Sequence, residues 1–376
     1  MAQHLDQVLP AGQSGEVAQE DQQRRLAAQV LERERAALVV GHAAPMVPQH
    51  VLVAPDKFKG TMDAATVAGA LARGLERAGL PPCDLCPVAD GGDGTLAALL
   101  LAMGGETAGA EVEDPLGRPL RAGFGLVEDG GTAIVEMAEA SGLALLAEAE
   151  RDPERTTTRG TGQLIAAAVE AGAQVVLVAV GGSATVDGGA GAIEALEAAG
   201  GLRGARLVVL CDVRTPWEDA PRLFGPQKGA SPEAVARLQE RLDALAARLP
   251  RDPRGVPMTG AAGGLAGGLW AAFGATLEPG APFVLDVLGF DERLRAAGAV
   301  VVGEGRLDPT SLEGKALAEV ATRARRAGVP CAAVVGQTAI APSDAQALDL
   351  RVVLEAGDPA ALEAAGERLA HELGLV

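Results

Sequence analysis

The sequence predicts an α/β fold: a mainly parallel sheet with helices on both sides. Three observations predict it. From residue 51 onward, short runs rich in Val, Leu and Ala alternate with longer helical patterns, as strands alternate with crossover helices. The run VVLVAV at 175–180 is apolar throughout, as in a strand buried on both faces. Several runs end in a glycine loop carrying an acid or a lysine, at the strand ends where such sheets bind ligands.

Strands are expected at 51–54, 84–88, 132–136, 175–180, 207–211, 299–303, 331–335 and 350–354. Helices are expected at 64–78, 96–103, 162–171, 190–199, 232–249, 315–327 and 360–373. Ser231 is placed to cap the helix from 232, with Pro232 at its first position, where a missing N–H does no harm. Residues 1–48 differ: they are Gln/Glu/Arg-rich, with a helical pattern over 16–38. This extension is expected to be helical or disordered and to take no part in chemistry.

At 376 residues the chain is long enough for two domains. Its net charge of -18 and its lack of Tyr argue against a nucleic-acid or anionic-membrane surface. No apolar run approaches a membrane span and no leader pattern opens the chain, so a cytoplasmic protein is expected. The four cysteines lack the spacing of a zinc site and suit a reducing compartment. His4, His42, His50 and His371 all stand outside the glycine-and-acid motifs. A histidine-dependent nucleophile or metal site is therefore disfavoured, and acid–base work falls to Asp, Glu or Lys.

Six segments can carry that work. APDKFKG (54–60) sets Asp56, Lys57 and Lys59 after the first strand. VADGGDGT (88–95) sets Asp90 and Asp93 around a glycine pair. GGSATVDGGAG (181–191) offers Gly181, Gly182 and Ser183 as backbone donors beside Asp187. FGPQKGA (224–230) presents Lys228, and GAAGGLAGG (260–268) permits close backbone approach. GEGRLDPTSLEGK (303–315) offers Glu304, Arg306 and Lys315. Asp63 and Asp114 read instead as a helix cap and a turn former.

Bare N–H groups at a strand end, lysines and carboxylates together fit phosphoryl transfer. That reaction needs cations on phosphates, carboxylates for Mg²⁺ and a carboxylate for the acceptor's proton. There is no P-loop: Gly314-Lys315 is followed by Ala316, and Pro309 stands where the first glycine belongs.

These segments, with DPLGRP (114–119), EMAEASGL (136–143), TTTRGTGQLI (156–165) and CDV (211–213), resemble the type I glycerate kinase family, in the family's order. The chain departs from its pattern at Val186, where Asn is usual, and in a shortened stretch after Val213. The resemblance implies two α/β domains. One is flavodoxin-like, a doubly wound parallel sheet built from both chain ends (49–92 and 295–376). The other, 93–294, is inserted into it. It also implies ATP with Mg²⁺ as donor and D-glycerate as acceptor, giving 2-phosphoglycerate or 3-phosphoglycerate.

Asp187 is the first expectation for the general base, with Asp90 second. Asp93 and Glu304 are expected at Mg²⁺. Lys57, Lys59, Gly181, Gly182, Ser183, Lys228, Arg306 and Lys315 are expected at phosphates or the substrate carboxylate. Two other readings stay open: a kinase for another small hydroxy acid, and a non-catalytic metabolite sensor.

Overall fold

The computed structural model describes residues 50–312 and 315–376, which form two sheets. The extension 1–48, with its expected helix, lies outside the described residues.

The first sheet has five parallel strands: β1 (Val51–Pro55), β2 (Asp84–Leu85), β9 (Ala299–Leu307), β10 (Cys331–Thr338) and β11 (Leu350–Glu355). Their order is β2-β1-β9-β10-β11. Skipping the chain between β2 and β9, this is the flavodoxin-like order, whose switch point lies between β1 and β9. Both faces are covered. Helices Ala64–Arg77 and Pro359–Glu372 pack with Val51, Val53 and Val301 on one side. Helix Ala316–Ala327 packs with Leu52, Ala54 and Val300 on the other.

The second sheet runs β3 (Glu106–Glu113), β4 (Pro119–Val127), β5 (Thr132–Glu136), β6 (Val175–Ala179), β7 (Arg206–Cys211), β8 (Thr276–Pro279) in spatial order. β5 to β8 are parallel, while β3 and β4 form an antiparallel edge. One apolar core holds Leu52 and Val302 of the first sheet together with Ile134, Leu177 and Leu210 of the second. Helices Thr95–Met103 and Gly280–Val287 contribute Leu99 and Val284 to it. Hydrophobic burial therefore ties the two sheets across a shared layer.

Local expectations can be checked residue by residue. Ser231 accepts the Ala234 N–H at 3.2 Å, and Asp63 caps its helix through the Thr66 N–H at 2.7 Å. Asp114 holds its turn through the Leu116 and Arg118 N–H groups. Strand β2 is shorter than expected, and β3, β4 and β8 were not foreseen. Among the described residues no helix is long and apolar enough to cross a membrane.

Candidate active site

β1 is wholly buried and delivers Asp56 and Lys57 at its carboxyl end. The Asp56 N–H donates to Gly303 O of β9 at 2.9 Å, so these residues sit at the switch point. Asp56 Oδ1 accepts the Lys57 N–H at 2.6 Å. Lys57 Nζ donates to Asp93 O at 2.5 Å and lies 3.9 Å from Asp56 Oδ1. A lysine from β1 thereby holds the 90–93 loop in place.

That loop also meets the second sheet. Gly181, just past β6, donates its N–H to Gly91 O at 3.1 Å. A Cβ on Gly181 would collide with Gly92 Cα, so only glycine lets the two backbones touch. Gly182 takes φ +78°, with the Asp93 carboxylate against its Cα. The carboxyl ends of both sheets thus converge on one loop.

From the second sheet come Asp212, directly after β7, and Lys228. Lys228 is 2% exposed; its Nζ donates to Ser183 Oγ at 2.6 Å and to Thr185 O at 2.7 Å. From the first sheet, Lys315 Nζ pairs with Glu304 Oε1 at 3.3 Å. The charges sense one another across the sheets: Asp212 is influenced by Asp90, Lys228 and Lys315, and Asp56 by Asp90 and Glu304.

Burial dominates this electrostatics. It pushes Asp56 up to about 7, with Asp90 adding to the push and Lys57 opposing it. It pushes Glu136 up to about 7 although its carboxylate accepts the Leu96 N–H at 2.7 Å. Asp212 is driven to about 6, again by burial and then Asp90. Burial depresses Lys228 to about 7, resisted by Asp212 and Asp187. Burial also opposes charge on Lys57 and Lys315, yet their carboxylate neighbours lift both above the usual lysine value. Glu304 is raised by burial and partly restrained by Lys315.

These shifts predict a pH dependence of stability. An acid whose folded pKa is raised contributes stability that is full below its unfolded pKa and lost as pH rises through the folded one. Asp56, Glu136 and Asp212 therefore make the ligand-free protein less stable as pH rises from about 4 to about 7. Lys228 acts in the opposite sense at higher pH, because its depressed pKa penalises the fold most below about 7. Asp56→Asn is expected to raise the calorimetric Tm at about pH 8 by ~2–4 °C while lowering activity. A Tm unchanged or lowered at that pH would contradict this account of Asp56.

Asp187 is extensively hydrogen-bonded. Its Oδ2 accepts Thr158 N–H and Oγ–H, each at 2.8 Å, and Gly191 N–H at 3.3 Å; its Oδ1 accepts Gly189 N–H at 3.0 Å. The carboxylate is occupied in closing the loop onto helix Ala190–Ala198. It also borders a hollow of about 280 Å³ shared with Thr156, Leu245 and Arg248, which none of the lysines above lines. Asp187→Ala is expected to destabilise by ~1–3 kcal/mol by orphaning these donors, seen as a lower Tm.

The profile of the Glycerate kinase family matches residues 51–201 and 197–373. The chain belongs to the glycerate kinase family. The glycerate 2-kinase of Escherichia coli (strain K12) is 38% identical over 323 residues, covering 76% of this chain and 84% of that protein. The glycerate kinase of Bacillus subtilis (strain 168) is also 38% identical, with the same coverage. A crystal structure assigned as glycerate kinase 2 from Salmonella typhimurium LT2 superposes with a TM-score of 0.72 at 33% identity, covering 88% of this chain and 99% of that one.

Within this member of the glycerate kinase family, the structure gathers Lys57, Asp90, Asp93, Gly181, Gly182, Ser183, Lys228, Glu304 and Lys315 around the strand ends. Lys59 and Arg306 are exposed at its rim; Lys59 is felt by Lys228, and Arg306 lies 3.7 Å from Asp308. Val186 is buried against Trp217, so an apolar side chain suits that position. Asp56, Glu136 and Asp212 belong to the cluster without having been singled out for a role. Asp212 had a legible signal: it directly follows the apolar run LVVLC, as Asp56 follows VLVAP.

The donor set also bears on metal. Asp93 Oδ1 and Glu304 Oε2 are buried without a hydrogen-bond partner, which an ion at either carboxylate would relieve. Among the described residues no trio of His, Cys, Asp or Glu is placed to hold an ion by itself. One or two carboxylates plus phosphates is the usual Mg²⁺ arrangement, and these residues fit it.

Proposed function

We propose that this chain transfers the γ-phosphoryl group of ATP to the 2-hydroxyl of D-glycerate, giving 2-phosphoglycerate and ADP. The observation that carries this reading is the join of the two sheets at their carboxyl ends: Lys57 of the first holds the 90–93 loop, which bonds to Gly181 of the second beside Asp212. The name of the Escherichia coli relative supports the 2-position.

In this reading Lys228 and Lys315 neutralise phosphate charge, while Lys57 fixes the 90–93 loop and adds to the positive field. Gly181 and Gly182 let backbone amides approach the phosphates. Arg306 and Lys59, at the rim, suit the glycerate carboxylate; the planar guanidinium can bind both its oxygens. Asp93 and Glu304 would hold Mg²⁺, which screens the phosphates' charge. Asp187, with its oxygens committed, positions the loop that carries Ser183. The four free cysteines suit a reducing, ATP-supplied cytoplasm.

Incubation with D-glycerate and Mg-ATP, followed by phosphorus NMR of the product, tests the proposal. It predicts stoichiometric ADP and a phosphomonoester on the 2-carbon. A 3-phosphate product would overturn the regiochemistry. ADP formation that favours lactate or erythronate over glycerate would point to another hydroxy acid, and binding without turnover to a sensor.

A further inference from the structure

Among the carboxylates clustered at the strand ends, we propose that Asp212 is the general base that takes the proton of the acceptor hydroxyl. This inference rests on the glycerate kinase reading above and deepens it.

Elimination is the first argument. Asp187 has four donors on its two oxygens. Asp56 is buried and accepts the Lys57 N–H. Asp90 accepts the Gly92 N–H at 3.2 Å and braces its own loop. Asp93 and Glu304 carry the orphaned oxygens suited to a cation. Asp212 accepts no side-chain hydrogen bond from another residue among the described residues.

Position is the second. Asp212 is part-buried, with its carboxylate surrounded by protein. A part-buried carboxylate with no donor from another residue is unfavourable, and such groups concentrate at reacting centres. Its charged neighbours are Asp90, Lys228 and Lys315. The two lysines favour its ionised form and are the cations assigned to the phosphates, so a group there stands beside the phosphoryl path. Gly181 clears its approach: a Cβ on Gly181 would sit 3.3 Å from Asp212 Oδ2. Burial and Asp90 lift its pKa to about 6, which makes it a stronger base than a free aspartate while leaving it mostly ionised at neutral pH.

The step balances. The hydroxyl oxygen bonds to the γ-phosphorus as the bond from that phosphorus to the β–γ bridging oxygen breaks. ADP leaves with that electron pair. The hydroxyl proton passes to the Asp212 carboxylate and then to water.

The wild-type protein is assayed first with Mg-ATP and D-glycerate. If it makes no ADP in response to glycerate, the kinase reading itself fails. With wild-type activity established, Asp212→Asn is expected to lower kcat by ~10²–10⁴-fold. Calorimetrically measured affinities for glycerate and an unreactive ATP analogue should change little. In Asp212→Ala, added formate is expected to restore part of kcat by supplying a carboxylate in the vacated space. Retention of kcat within ~10-fold in Asp212→Asn would overturn the proposal. So would restoration by excess Mg²⁺ or Mn²⁺, which would make Asp212 a metal ligand, or loss confined to KM. Should the Asn variant lose its fold, Asp212→Glu decides: folded, it must retain measurable turnover, and complete inactivity with normal ligand binding would overturn the assignment.

Discussion

Replacing Lys228 with Met is expected to lower kcat/KM for glycerate phosphorylation by ~10²–10³-fold without lowering Tm. Lys228 is almost wholly buried, and its ammonium rests on two neutral oxygens, Ser183 Oγ and Thr185 O. No carboxylate among the described residues is within ion-pair distance of it, and burial brings its pKa down to about 7. A cation so placed is a standing cost to the fold and a prepared partner for an anion. Phosphate brought against it raises its pKa, so above about pH 7 nucleotide binding should take up a proton. Calorimetry in buffers of different ionisation heats measures that uptake directly. It should be present in the wild type at about pH 8 and reduced in Lys228→Met. Activity retained within tenfold by the Met variant would remove Lys228 from the phosphate site.

The second large effect falls on a residue with no side chain. Gly181→Ala is expected to reduce kcat/KM by ~10²-fold or more, with a lowered Tm. Its new Cβ would collide with Gly92 Cα and lie 3.2 Å from Gly92 N. Both are backbone atoms and have no rotamer by which to yield. The hydrogen bond from Gly181 N to Gly91 O would stretch, and with it the join between the two sheets. Asp90 and Asp93 would then move relative to Lys228 and Asp212, and displacements of about 1 Å are enough to disable a preorganised site. Normal kcat/KM and Tm in the Gly181→Ala variant would contradict the close join.

The contrast between what the residues disclosed and what they hid follows from physics. Buried parallel strands such as VVLVA at Val175–Ala179 are unbroken apolar runs, and their composition declares them. β3, ETAGAEVE, is an edge strand with half its residues exposed and one buried, so it lacks an apolar signature. β4, PLRAGFGLV, is interrupted by glycines that ordinarily signal turns. Helix Leu265–Phe273 overlaps the glycine-rich segment 260–268, whose glycines gave no helical signal; Gly267 and Gly268 lie within it, packed against Trp217 and Gly188. At the site, strand-end placement made the lysines and acids candidates for one cluster. It did not rank the acids. The difference between Asp187 and Asp212 lies in hydrogen-bond donors from Thr158, distant in sequence, and only packing shows which carboxylate is already occupied.

In the proposed reaction, cations and carboxylates from both sheets serve one phosphoryl transfer. Its most direct test is the crystal structure of the protein with an unreactive ATP analogue, Mg²⁺ and D-glycerate. Both ligands are expected at the strand ends, with the terminal phosphate contacting Lys228 from one sheet and Lys315 or Lys57 from the other. A nucleotide bound by residues of a single sheet, or glycerate seated away from Asp90, Asp212 and Lys228, would contradict it.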